Sequence, residues 1–261
     1  MAGAACLLTG QVTAAELKSN TVTAWERYVH LTEERIEGEL QSVESNLASE
    51  ARPLNKVVAL KLETLDETGK KIPIPKGLIH HWRGAVLIPD ALLGPALQVI
   101  RTPSNREDYL EDVLESRILE KDGDVELTYL KLQRSQALFE VAYNTEHRIE
   151  YHWHSKTFVS SRSIATKIAE LVDVGKDTER EKPEGDDRGF LWKLNAYWKY
   201  RQVEGGVLVE CETLTLSRGV PFFLRFILGP YINSMARKSM VQTLESLRDR
   251  VNSQLELPEI P

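Results

Sequence analysis

The sequence predicts an α+β fold in which a curved antiparallel β-sheet wraps around a long C-terminal α-helix, with two short helices and an added N-terminal helix. Three observations carry this. From Val113 to Leu171 one strand-like segment follows another with little room for helix. Phe190–Gln202 and Val207–Ser217 alternate on either side of Gly205-Gly206, a strong hairpin signal because glycine takes the positive φ of a tight turn without steric cost. From Pro221 onward, apolar residues recur at helical spacing through Leu247 and Val251.

Taken in order, residues 1–20 read either as the end of a signal peptide or as a disordered Ala-rich terminus. Ala2 to Leu8 is small and apolar, and Val12-Thr13-Ala14 has small-x-small character, but no basic segment precedes it. Residues 21–50 form the N-terminal helix. Thr23 and Glu26 make a capping-box pattern, and Trp25, Val29, Thr32, Ile36, Val43 and Leu47 trace its apolar stripe. Residues 55–255 then make up one ligand-binding domain. Val57–Leu65 alternates and turns at Gly69, and Leu78–Ile88 is a second strand. Pro89-Asp90 opens one short helix and Ser104 caps another through Leu110. Val113–Glu120, Val125–Arg134, Ala137–Tyr143, Arg148–Ser155 and Thr157–Leu171 follow as strands. Asp173–Arg188 is a polar connection long enough to be a lid or a plain insertion.

If the hairpin loop is Gly205-Gly206, Arg201 faces Glu210, Lys199 faces Glu212, Tyr200 faces Cys211 and Trp198 faces Thr213. One face then carries Trp192, Leu194, Ala196, Trp198 and Tyr200 with Val209, Cys211 and Thr213, and the other carries the charges Lys193, Lys199, Arg201, Glu210 and Glu212. Large rings beside small groups leave gaps unless a helix fills them. The filler is the C-terminal segment, with Phe226 and Met235 toward the sheet and an interruption or kink at Gly229-Pro230.

This element order, with Leu78-Ile79-His80-His81-Trp82-Arg83-Gly84, Asp112-Val113-Leu114-Glu115-Ser116 and the run from Gly206 through Val220-Pro221, resembles the START-like (SRPBCC, helix-grip, Bet v 1-like) superfamily, in a bacterial-type member. The resemblance covers about residues 55–252 and implies an elongated hydrophobic tunnel between sheet and final helix, used for lipids, sterols or polyketides. Some relatives, the polyketide aromatase/cyclases, do chemistry in that tunnel, and fold alone does not choose between binding and catalysis.

Composition narrows the classes. The net charge is −6 with both signs interspersed, unlike the basic stripe of a nucleic-acid surface. No apolar run is long enough to span a bilayer. No nucleotide loop, nucleophile elbow or two-histidine zinc helix occurs, and no cofactor or metal is expected. His152 and His154 share one strand face beside Glu150, a metal half-site at most, since a catalytic zinc needs three protein ligands. His80 and His81 point to opposite sides of their strand, and His81 joins the cavity candidates as a polar handle. Arg162, among Ser160, Ser161 and Ser163, would bind an anionic head group or pair with a carboxylate.

The expected function is therefore non-enzymatic binding or transport of a hydrophobic small molecule. The candidate contacts are Trp192, Trp198, Tyr200, Cys211, Thr213, Arg162, Phe226, Met235 and His81. The alternatives are a cyclase- or hydrolase-like enzyme using Tyr200, His81 or Arg162 as acid/base or oxyanion groups, and an interaction module built on a detachable N-terminal helix. The partner is the ligand, with no nucleic acid, no integral membrane segment and transient membrane contact at most. A periplasmic or secreted location follows from the signal-peptide reading, and a cytoplasmic one from its alternative.

Overall fold

The computed structural model describes residues 16–41, 56–102, 106–108, 110–136, 139–219 and 225–255. Side chains at 108, 134–136, 139–140, 225–233 and 235 lie outside that description. Helix α1 spans Ser19–Leu40. Strands β1 (Val58–Lys61) and β2 (Gly77–Pro89) follow, then α2 (Leu93–Arg101) and a 3-10 turn, Arg106–Asp108. Next come β3 (Val113–Asp122), β4 (Val125–Gln136), β5 (Phe139–Ser155), β6 (Phe158–Val172) and a short β7 (Arg180–Glu181). The chain closes with β8 (Lys193–Val203), β9 (Gly206–Arg218) and α3 (Arg225–Leu255). The strands form one antiparallel sheet in the order β1-β2-β9-β8-β6-β5-β4-β3, with β7 on β6. Bulges in the β3–β4 and β5–β6 pairs add local bend and twist.

Each face of the sheet has its own helix. On the inner face, α3 packs Met240, Leu244, Leu247 and Val251 into a cluster with Val86, Tyr200 and Val209. Gly84 sets the closest approach there. A Cβ at that position would lie 2.7 Å from Leu244 Cδ1 and 2.9 Å from Met240 Cγ. On the outer face, α1 buries Trp25, Tyr28 and Ile36 against Tyr197, Leu214 and Leu216. Trp25 is buried, so α1 is an intramolecular cover. Its N-cap is Lys18, and Thr23 sits inside the first turns with its hydroxyl donated to the Ser19 carbonyl. Val43 and Leu47, the end of the expected stripe, lie outside the described residues, as do Ser104 and Pro221.

Several expected elements change shape. The segments Ala137–Tyr143 and Arg148–Ser155 are one strand, β5. Helix α3 continues through Gly229-Pro230. The connection after β6 is tied down by the buried Glu170 carboxylate. It accepts hydrogen bonds from Arg188 Nε (2.6 Å) and the Arg188 backbone N–H (2.8 Å), and forms an ion pair with Lys182 Nζ at 2.8 Å.

The β8–β9 hairpin differs in register from the expected one by two residues. The loop is Glu204-Gly205, and Gly206 already pairs with Val203. Trp198 therefore stands opposite Cys211, Tyr200 opposite Val209, and Lys199 opposite Glu210. A shift of two preserves the faces, because side chains alternate with period two. The physical reason is β2. A Cβ on Gly206, at φ +150°, would come 2.1 Å from the Ile88 carbonyl oxygen, so this glycine serves close strand packing and leaves the turn to Gly205. Gly206→Ala is accordingly expected to destabilise by about 4 kcal/mol or more, in the class of severe backbone clashes. Gly205→Ala, at φ +83° with open space around it, should cost only ~1–2 kcal/mol. Thermal unfolding of the two variants checks the ranking.

Candidate functional site

The inner face is solid at one end and partly open toward its centre. Next to α3, Tyr200 and Cys211 are buried, and Trp198, half-buried, packs at the edge of the same cluster. The Trp198 and Tyr200 rings stack in parallel with centroids 6.2 Å apart. Burial pushes both the Tyr200 phenol and the Cys211 thiol well up from their ordinary pKa values. Neither can act as an anionic base or nucleophile near neutral pH.

One step along the strands, the floor changes character. Trp82 pairs with Thr213, Thr213 with Ala196, and Ala196 with Ser163, forming a row across β2, β9, β8 and β6. In the adjoining row His80 pairs with Thr215, and on β5 and β6 His147 pairs with Ala165. Apart from Trp82, the two histidines and Leu194, which pairs with Thr215, these side chains are small or hydroxylated. Ala165, Ala196, Thr213 and Thr215 retain partial exposure although they lie on central strands. Trp82 Nε1 is buried without a hydrogen-bond partner, as is Thr128 Oγ1 on β4. Burial drives both imidazoles on this face down to about 4, His80 with help from Lys61 and His147 with help from Arg106. At neutral pH the floor thus offers hydroxyls, an indole N–H and two uncharged imidazoles. Such groups orient a polar end of a guest whose body is apolar.

Of the expected contacts, Trp198, Tyr200, Cys211 and Thr213 share this inner face. Phe226 and Met235 belong to α3, with side chains outside the described residues. The other three lie elsewhere. Trp192 precedes β8, packs with the outer cluster and donates Nε1 to Asp187 at 3.0 Å, because the alternation of β8 begins only at Lys193. His81 points outward and is satisfied between Tyr28 Oη (2.9 Å from Nδ1) and Glu212 (2.6 Å from Nε2). Arg162 also points outward and donates Nε to Glu33 of α1 at 2.8 Å. The acid/base set Tyr200, His81 and Arg162 is therefore split between opposite faces of the sheet. Sequence reading placed Ala196 on the aromatic face and set His80 opposite His81, but named neither of them, nor Ser163, among the contacts. Their signal was present in the alternation: Ser161 and Ser163, read as neighbours of Arg162, are the inner residues of that strand.

The outer face beneath α1 holds a buried ionic network. Arg83 donates to both oxygens of Glu39, at 3.2 and 2.6 Å, and lies 3.7 Å from Glu212 and 3.9 Å from Glu210. Lys199 donates to Glu39 at 2.8 Å, and Arg35 binds both Glu39 and Glu212. Burial pushes the Glu39 carboxyl up, but hydrogen bonds from Arg83 and Lys199 outweigh it and hold the group at about 2. Beside this network a groove of about 550 Å³ runs between α1 and the outer faces of β5, β6 and β8. His152 and His154 lie near its mouth, and His154 is bonded to Ser160 and stacked on Phe158. Among the described residues no three potential ligands are placed to hold a metal ion, and no helix is long and apolar enough to cross a membrane.

No family model and no curated protein matches the chain. Solved structures do. Human StAR-related lipid transfer protein 5 aligns over 90% of this chain and 100% of its own, at 10% identity and a TM-score of 0.52. A STAR-related lipid transfer protein from Xanthomonas axonopodis aligns over 74% and 98%, at 14% identity and a TM-score of 0.48. Zhui aromatase/cyclase from Streptomyces sp. R1128 aligns over 69% and 97%, at 8% identity and a TM-score of 0.45. At these identities the likeness speaks for architecture, and the first of the three agrees with the helix-backed antiparallel sheet described above. The chain has the START-like, helix-grip fold.

Proposed function

We propose that the chain binds a hydrophobic small molecule against the inner face of the sheet, seated on Ala196, Thr213 and Thr215. The observation that supports this most is the partly exposed floor of Ala196, Thr213 and Thr215, which adjoins the part of the face where α3 packs against Tyr200, Val209 and Cys211. A sheet folded only for stability would fill such a position with large apolar side chains. The neighbouring hydroxyls and neutral imidazoles supply hydrogen bonds without the cost of burying a charge. Removing apolar ligand surface from water contributes about 25 cal/mol per Å², so affinity follows shape and burial, while Thr213, His80 and Trp82 select orientation.

Organic extraction of the purified protein followed by mass spectrometry should recover a bound amphiphile. A protein that is reproducibly empty and also ignores fluorescent fatty acids and sterols would remove this reading. Ala196→Phe projects a ring into the open part of the floor, beside Thr213 and Ser163. It is expected to weaken ligand binding by at least about tenfold, or ~1.4 kcal/mol, with the melting temperature kept.

A further inference from the structure

We propose that the groove between α1 and the outer face of the sheet is a second, independent binding site for a small zwitterion on a compact apolar body. Its two sides carry opposite charge. The floor, built by the sheet, supplies donors. Lys199, whose side chain is 8% exposed, donates one hydrogen bond to Glu39 and has no other acceptor among the described residues. Arg162 uses Nε on Glu33, and among the described residues the paired ends of its guanidinium make no hydrogen bond. An ammonium offers three donors and a guanidinium five, so both cations keep capacity for an anionic oxygen. The rim, built by α1, supplies acceptors. Among the described residues Glu37 makes no hydrogen bond, and Glu34 meets only the exposed His30, at 3.4 Å. Between floor and rim, Ile36 and Leu40 give an apolar wall.

A simple anion would meet the rim carboxylates, and a simple cation would meet Lys199 and Arg162. A guest bearing both charges a few ångströms apart, with its apolar part on Ile36 and Leu40, satisfies both sides. A nine-tenths-buried ammonium that keeps unused donors toward an open groove is unusual, because lysine is seldom buried unless paired. This site is separated from the inner floor by the thickness of the sheet, so it stands or falls apart from the ligand proposed there.

The test holds the body constant and varies the charge: titrate phenylalanine, phenylacetate and phenethylamine by calorimetry, with amide chemical shifts of Ser160–Arg162 and Lys199 as the local readout. Phenylalanine should bind saturably, about fivefold more tightly than either singly charged compound, as one additional exposed ion pair provides. Glu37→Gln touches no bonded group and keeps the fold. It should lower phenylalanine binding to the phenylacetate level and leave phenylacetate unchanged. Lys199→Met should abolish phenylalanine and phenylacetate binding in protein whose melting curve is still cooperative. Absence of saturable binding, equal affinity for all three compounds, or phenylalanine affinity unaltered by Glu37→Gln would each overturn the proposal.

Discussion

Arg83→Ala is expected to lower the free energy of unfolding by about 3–5 kcal/mol, the range for removing one partner of a buried charge cluster. The reason lies in the shared geometry. Arg83 is 9% exposed and bridges Glu39 of the N-terminal helix to Glu210 and Glu212 of the sheet. Without it, these carboxylates lose their common cation, and the burial that already pushes Glu39 up is opposed only in part by Lys199. Two consequences should appear together. Urea unfolding should shift to a lower midpoint with an unchanged slope. Proteolysis should also cut within α1 before it cuts the sheet, because Glu39 is one of the helix's anchors to the outer face. By comparison, Glu37→Gln, on the exposed rim, should stay within ~0.5 kcal/mol of the parent, as surface changes usually do. A loss below 1 kcal/mol for Arg83→Ala would mean that the network does not hold the helix.

Acidification should destabilise the fold well before the carboxylates titrate. His80 and His147 are neutral in the folded chain, with values near 4 against an ordinary 6.5. Above pH 6.5 both folded and unfolded states hold these rings neutral, and the groups have no effect on stability. As pH falls from 6.5 toward 4 the unfolded chain takes up protons that the folded chain refuses, so stability is lost across that window. A difference of 2.5 units corresponds to about 3 kcal/mol per ring at 1.36 kcal/mol per unit. The fully enclosed His147 should approach that figure, and the partly exposed His80 should fall below it. Glu39 behaves as a carboxylate held low. Its contribution is complete above pH 4.5 and disappears as pH falls toward 2, in a lower window that overlaps the first only at its edge. Unfolding free energies measured from pH 8 to pH 3 should therefore decline in two stages. His147→Gln should remove about half or more of the first decline and leave the second. A first decline that survives loss of both imidazoles would place the acid sensitivity elsewhere.

The strand content, the long final helix, the buried stripe of α1 and the division of β8 and β9 into an aromatic face and a charged face were all legible in the residue order. Each depends on a period, two for strands and 3.6 for helices, and a period survives small errors of alignment. That is why the two-residue difference at Gly205-Gly206 left Trp198, Tyr200, Cys211 and Thr213 on the face expected for them. Which partner each side chain meets is a different kind of fact. Whether His80 or His81 looks inward depends on how β2 lies against β9, and the destination of Arg162 depends on which face α1 covers. Trp192 joins the outer cluster because it stands one residue before its strand begins. The sequence by itself determined the elements and their two-sidedness, since those are local properties of the chain. Tertiary structure alone decided that the sheet is covered on both sides, that the floor opens at Ala196 and Thr213 rather than at Tyr200, and that the half-buried Glu39 and the buried Glu210 and Glu212 gather around one arginine. These outcomes arise from contacts between residues more than a hundred positions apart, such as Glu39 with Lys199 and Arg35 with Glu212. No local pattern encodes such contacts, because their energy exists only once the packed neighbours have displaced the water between them.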